Sequence, residues 1–260
     1  MRKPGRSPRR WSLRLSAAIV LFIVSVAACG SHAETPPPPQ TSNATVRIMP
    51  LGDSITESIT GLNSYRYFLW HLLIDHGYHV DFVGSRHGVG NGPPANPDFD
   101  MDHEGHSGWR ADEILDRIQT WARAASPDFV LLHIGTNDLW QGQSVASTVT
   151  DIGDIVDLLR TVNPHIRIVL AQLIPTSADF GIPALNAELP ALAAKKNQPA
   201  SPIVLVDQYS GFDPATMTYD GTHPTDIGNS RMADRWFEKL ASLLDAFLTS
   251  TAQRDAPEMP

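Results

Sequence analysis

The chain has 260 residues, 42% of them hydrophobic, a formal charge of −8 and a single cysteine, Cys29. One cysteine excludes an internal disulfide, and its place in the N-terminal leader excludes a cysteine nucleophile or thiolate metal site in the folded part. The first 14 residues hold six basic residues and no acid, so the remainder carries −14, a surface that repels nucleic acid and anionic lipid headgroups.

Leu15 to Ala28 is an uncharged, mostly apolar run of 14 residues, short against the ~20 that a spanning helix needs. A basic start before a short apolar run predicts a secretory signal peptide over residues 1–29. Val26-Ala27-Ala28-Cys29 is similar to a bacterial lipobox, which would make Cys29 a lipidated mature N-terminus and the only route of membrane contact. Cleavage after Ser31-His32-Ala33 is the alternative. Residues 30–45 form a linker in which Pro36 to Pro39 impose an extended spacer. The rest, about 215 residues, suits one α/β domain with a full-sized core. That domain is expected over 46–248, with a disordered tail over 249–260.

Strands and helices then alternate. Val46 to Pro50 reads as a strand running into Gly52-Asp53-Ser54. Ser64 is placed to cap a helix whose apolar positions are Tyr65, Phe68, Leu69, Leu72 and Leu73, with Gly77 as its stop. His79 to Val83 is a second strand. Residues 88–100 are a Gly/Pro/Asn/Asp-rich loop, long enough to suggest a functional one. A helix over 110–125 leads to an almost wholly apolar strand from Phe129 to Ile134, whose His133 reads as a core histidine. Val149, Ile152, Val156 and Leu159 mark the next helix. Strands at 166–173 and 203–206 flank a helix at 182–196, and a last helix carries Ala233, Trp236, Phe237, Leu240, Leu244 and Phe247. Five near-continuous apolar strands between amphipathic helices predict a parallel sheet covered on both faces. In such a sheet ligands bind beyond the carboxyl ends of the strands.

Polar clusters fall at those ends: Gly52-Asp53-Ser54, Glu104-Gly105-His106-Ser107-Gly108-Trp109, Gly135-Thr136-Asn137-Asp138 and Asp220-Gly221-Thr222-His223. Each alone fits an ordinary turn or helix cap. Together they supply what ester cleavage needs: a nucleophile, a base, an orienter for the base, and donors for an oxyanion. Ser54 offers a hydroxyl, His223 an imidazole, and Asp220 a carboxylate three residues before it. Asn137 offers a side-chain amide, and Gly108 and Ser54 offer backbone N–H groups.

In their order, these four blocks resemble those of the SGNH hydrolase superfamily, the GDSL-type esterases, over roughly 46–248. The resemblance implies a flavodoxin-like three-layer α/β/α sandwich with a five-stranded parallel sheet. It implies Ser54 as nucleophile, Asp220 and His223 as the rest of a triad, and Ser54, Gly108 and Asn137 as oxyanion-hole donors, with no cofactor and no metal. Ile55 stands where many members have Leu. The absence of a G-x-S-x-G setting for Ser54 argues against the α/β-hydrolase fold.

Ile48-Met-Pro-Leu-Gly-Asp-Ser-Ile-Thr-Glu57, Tyr65-Arg66, Val80-Asp-Phe-Val-Gly-Ser85, Asp102-His-Glu-Gly-His-Ser-Gly-Trp109 and Leu132-His-Ile-Gly-Thr-Asn-Asp138 are similar to carbohydrate esterase family three. This implies an acetylesterase acting on an acetylated polysaccharide or oligosaccharide; the leader predicts its export, and a monomer is expected. Trp109, Trp140 and Tyr219 are candidate platforms for sugar rings, although rim packing explains aromatics equally well. Two alternatives remain open: a lysophospholipase or thioesterase of the same superfamily, which needs an elongated apolar groove, and a non-catalytic carbohydrate-binding lipoprotein, which predicts a decayed triad.

Overall fold

The computed structural model describes residues 44–255. The expected signal peptide with Cys29, and most of the expected linker, therefore lie outside the described residues. The elements in chain order are β1 (Val46–Gly52), α1 (Ser54–Glu57), α2 (Tyr65–Asp75), β2 (Val80–Phe82), β3 (Arg86–His87), β4 (Asp102–Gly105), α3 (Ala111–Ala125), β5 (Phe129–His133), α4 (Thr136–Trp140), α5 (Val145–Val162), β6 (Arg167–Gln172), α6 (Ile182–Lys196), β7 (Ile203–Asp207), α7 (Pro214–Met217) and α8 (Asp226–Asp255).

The sheet runs β4-β1-β5-β6-β7, all parallel, with β3 antiparallel on the outer edge of β4. β2 and β4 share one side of β1: β2 pairs with Val46 to Ile48, and β4 with Leu51 and Gly52. The sheet thus has the expected five parallel positions, one of them filled by two short strands in succession.

Alternate side chains of each strand point to opposite faces, and both faces are covered. Met49 and Leu51 of β1, Val130 and Leu132 of β5, and Ile168 and Leu170 of β6 pack against α3, α5 and α6. Val46 and Ile48, Phe129 and Leu131, and Val169 and Ala171 pack against α2 and α8. A strand buried on both sides keeps no polar alternation, which is why β5 reads as a solid apolar run. Each fully buried Leu or Ile contributes roughly 1.5–3 kcal/mol from burial. As expected, Ser64 caps α2 by accepting from the Arg66 N–H at 3.2 Å, and Gly77 leaves the helix at φ +82°.

The expected disordered tail over 249–260 is corrected in part, because α8 continues to Asp255. Thr249, Ser250 and Thr251 look like a helix stop, but their hydroxyls fold back. Thr249 donates to the Asp245 carbonyl, and Ser250 and Thr251 both donate to that of Phe247, each at 2.8 Å. Hydroxyls that bond within the helix do not compete with it.

The crossover helices set the position of the site. α2 leaves β1 on one face and α3 enters β5 from the other. The carboxyl ends of β1 and β5 therefore lie where the winding changes direction, the usual place for a crevice in such a sheet.

Candidate active site

β1 ends at Gly52, which packs so closely on β5 that a Cβ there would lie 2.3 Å from the His133 carbonyl oxygen. The chain then turns at Asp53, whose carboxylate caps α1 by accepting from the Ile55 N–H at 2.9 Å. This cap sets Ser54 at the first position of a short helix, with its hydroxyl facing out of the sheet edge. Asp53 is fully buried, and burial pushes its carboxyl up to about 7 against the opposing pull of the Ile55 N–H and His223.

The second wall is the turn before α8. Asp220 Oδ1 accepts from the backbone N–H groups of Thr222 at 2.9 Å and His223 at 2.8 Å. Its Oδ2 lies 2.7 Å from His223 Nδ1. Gly221 turns the chain at φ +87°, and its carbonyl accepts from the Ser177 N–H at 2.7 Å. Burial raises the Asp220 carboxyl, but the His223 and Thr222 donors outweigh it and hold the group below the usual carboxylate range. A carboxylate on Nδ1 fixes the proton there and leaves Nε2 as an acceptor. His223 Nε2 lies 2.9 Å from Ser54 Oγ. The three residues read from sequence as nucleophile, base and orienter thus form one hydrogen-bonded chain across the sheet edge.

The third wall comes from the turns after β4 and β5. Gly108 sits at φ +80° with open space where a Cβ would go, so backbone conformation rather than crowding demands glycine. Its carbonyl accepts from Gln141 Nε2 at 3.0 Å. The Ser54 and Gly108 N–H groups have no acceptor among the described residues. Asn137 Nδ2 donates to the Trp109 carbonyl at 3.0 Å and at 3.4 Å, a long contact, to Asp53 Oδ2. The neighbouring Asp138 accepts the Ala111 N–H at 3.0 and 3.1 Å and so caps α3. Burial pushes the Asp138 carboxyl up to about 6.

Ser54, Gly108, Asn137 and His223 line one cavity of about 270 Å³, together with Trp140, Tyr219 and the loop residues Gly90 and Asn91. The long loop expected at 88–100 does reach the site. Tyr219 lies nearly parallel to the His223 ring, with centroids 5.7 Å apart. Trp109 does not line the cavity, contrary to its expected place among the sugar platforms. Its ring packs on the core and stacks on His106, which is stacked in turn on Trp121. The buried Glu104 carboxylate holds His106 Nε2 at 2.7 Å and pins that stack.

Sequence reading gave no role to the supports. Glu57 accepts from the Ser107 N–H and hydroxyl, and from Arg86 at 2.6 Å, and so fixes the turn before Gly108. Arg66 is fully buried and donates to four carbonyls: Thr56 at 3.0 Å, Met101 at 2.7 Å, Glu57 at 3.1 Å and Gly88 at 2.6 Å. Burial lowers its guanidinium to about 10, still charged at neutral pH. Its pairing with Tyr65 in the sequence was the one signal available. Arg66→Met is expected to lower unfolding free energy by at least about 3 kcal/mol, since several charge-assisted bonds to buried carbonyls are lost at once. Chemical denaturation checks this; a loss under ~1 kcal/mol would show that the four bonds carry little.

The model of the GDSL-like lipase/acylhydrolase family matches residues 51–231. The chain belongs to this family. Its matched span contains all four blocks and the whole hydrogen-bonded chain from Ser54 to Asp220, and the domain is a carboxylic ester hydrolase. Among solved relatives, an acetyl esterase crystallised with acetate ion is 32% identical, with a TM-score of 0.72 over 78% of this chain and 99% of that one. A family 3 carbohydrate esterase from Clostridium thermocellum is 34% identical, with a TM-score of 0.70 over 79% of this chain and all of that one. A multidomain esterase from Ruminococcus flavefaciens is 28% identical over 98% of this chain. The chain spans only 35% of that relative's length.

Proposed function

We propose that this domain is an exported acetylesterase that removes O-acetyl groups from carbohydrate through an acetyl-serine intermediate. The observation that carries the reading is the unbroken line Ser54 Oγ, His223 Nε2, His223 Nδ1, Asp220 Oδ2, at 2.9 and 2.7 Å, opening on one small cavity. Ser54 Oγ attacks the ester carbonyl carbon while its proton passes to His223 Nε2. The carbonyl oxygen becomes an anion, met by the Ser54 and Gly108 N–H groups and the Asn137 amide. The bond to the sugar oxygen breaks, and His223 returns the proton to that oxygen. Water, deprotonated by His223, then attacks the acetyl-Ser54 carbonyl; the bond to Ser54 Oγ breaks, His223 returns the proton to Oγ, and acetate leaves. Asp220 stays ionised and supports the imidazolium that forms in each half-reaction.

Relatives named acetyl esterase and carbohydrate esterase support acetate as the acyl group and a carbohydrate as the alcohol. A cavity of about 270 Å³ lies just under the ~300–1,000 Å³ range of ligand pockets, and favours a short acyl group. Each methylene that finds no room forfeits ~0.8 kcal/mol of burial and risks a clash. The specificity constant should therefore fall from acetyl to butyryl to octanoyl esters of one alcohol. Acetate release from acetylated xylan, with a lysolipid assayed beside it, separates this reading from the lysophospholipase or thioesterase alternative. An octanoyl preference with lysolipid turnover would reverse the assignment.

Export and anchoring rest on the sequence of residues 1–29. In a bacterial host the mature protein is expected in the membrane fraction with a diacylglycerol-modified Cys29, and Cys29→Ser is expected to release active protein. A mature N-terminus at Glu34, found by peptide mapping, would instead establish ordinary cleavage.

A further inference from the structure

We propose that a second cavity beside the triad is a subsite for a neighbouring sugar unit of the chain that carries the acetyl group; this rests on the carbohydrate reading above. The cavity holds about 190 Å³ and lies between Trp140, Phe180 and the Asp220–Thr222 turn. Trp140 lines both this cavity and the one at Ser54, so the two adjoin across a single ring. Each falls below the ~300–1,000 Å³ typical of a ligand pocket, whereas the two together reach it.

Two features give the second cavity its chemistry. Trp140 is 62% exposed and Phe180 37% exposed, with ring centroids 6.3 Å apart and planes tilted by 35°. With Tyr219, they are three of the five large hydrophobics left exposed among the described residues, and all three border the site. Large aromatic faces held in water at a cleft are surfaces kept for a ligand. Apart from Ala178 and Gly221, the other lining residues are polar. Thr136 is 4% exposed, and its hydroxyl has no partner among the described residues. Ser177 and Thr222 add hydroxyls beside it. An acyl chain would leave those hydroxyls unpaired. A pyranose ring offers C–H faces to the aromatics and hydroxyls to the threonines and serine. The turn that forms one wall also carries Asp220 and His223, so an occupant would be held in fixed register with the triad.

The test compares the parent domain with Phe180→Ala on 4-nitrophenyl acetate, an acetylated monosaccharide and an acetylated xylo-oligosaccharide. Phe180 lines only the second cavity. The parent is expected to prefer the oligosaccharide over the monosaccharide in kcat/KM. Phe180→Ala should lose about fivefold on the oligosaccharide, mostly in KM, and stay within twofold on the other two. Equal rates on both sugars in the parent, or an unchanged oligosaccharide rate in the variant, overturns the subsite alone. A shift of the variant's acyl-chain preference toward longer esters assigns the cavity to the acyl side and overturns it too. A parent that cleaves 4-nitrophenyl acetate but neither sugar overturns the carbohydrate reading, and the subsite with it.

Discussion

Ser54→Ala is expected to leave a folded domain whose acetyl-ester turnover falls roughly 10⁴- to 10⁶-fold, the scale on which a covalent nucleophile is lost. Stability should scarcely move, because the one partner of the Ser54 hydroxyl among the described residues is His223 Nε2. Asp53 still caps α1 through the Ile55 N–H, and Asp220 still holds the far side of the imidazole. The variant should unfold within about 0.5 kcal/mol of the parent, as surface changes usually do. Activity and stability thus separate cleanly. Residual hydrolysis would come from the oxyanion donors and from substrate positioning. Turnover within tenfold of the parent, with normal unfolding, would place the nucleophile elsewhere.

The second large effect is expected at Asn137. When Ser54 attacks, the carbonyl oxygen gains charge that must be met by donors already in place, because recruiting water would add to the barrier. Two donors are backbone N–H groups with no acceptor of their own among the described residues, those of Ser54 and Gly108. Asn137 is the third, and its free-state contacts fit that part. One N–H is spent on the Trp109 carbonyl at 3.0 Å, while the other reaches Asp53 only at 3.4 Å. The weak contact leaves that N–H available to a developing oxyanion. A purely structural role for Asn137 is poorly supported, because Asp138 caps α3. Asn137→Ala should therefore cost about 10²–10³-fold in kcat, roughly 3–4 kcal/mol, with KM little changed. Loss of the Trp109 bond alone would cost ~1 kcal/mol of stability and spare turnover in the folded fraction. Steady-state kinetics beside thermal unfolding distinguishes the two, and a kcat within about threefold of the parent would remove Asn137 from the oxyanion hole.

The order of strands and helices was legible because burial on both faces writes itself as apolar runs, as in Phe129 to Leu132. The site was legible because its chemistry sits at strand ends as short polar blocks. β4 was not, since Asp-His-Glu-Gly carries no apolar pattern. Its Glu104 and His103 are buried on Ser85, His106 and the Gly105 N–H instead of on hydrocarbon. Arg66 was hidden for the same reason: a buried cation bonded to carbonyls looks, in sequence, like any polar residue on a helix. The place of Trp109 also depended on a partner on the next helix, since Trp121 of α3 draws the aromatic stack onto the core. Phe180 drew no attention because its meaning comes from Trp140, which α4 supplies.

The most direct test of the central claim is covalent labelling with a serine-directed organophosphonate, with and without acetylated xylo-oligosaccharide, followed by peptide mapping. One label is expected, on Ser54, rising in step with loss of acetate release and slowed by the oligosaccharide. A label on another residue that tracks the loss of activity, or full activity with Ser54 labelled, would contradict the account.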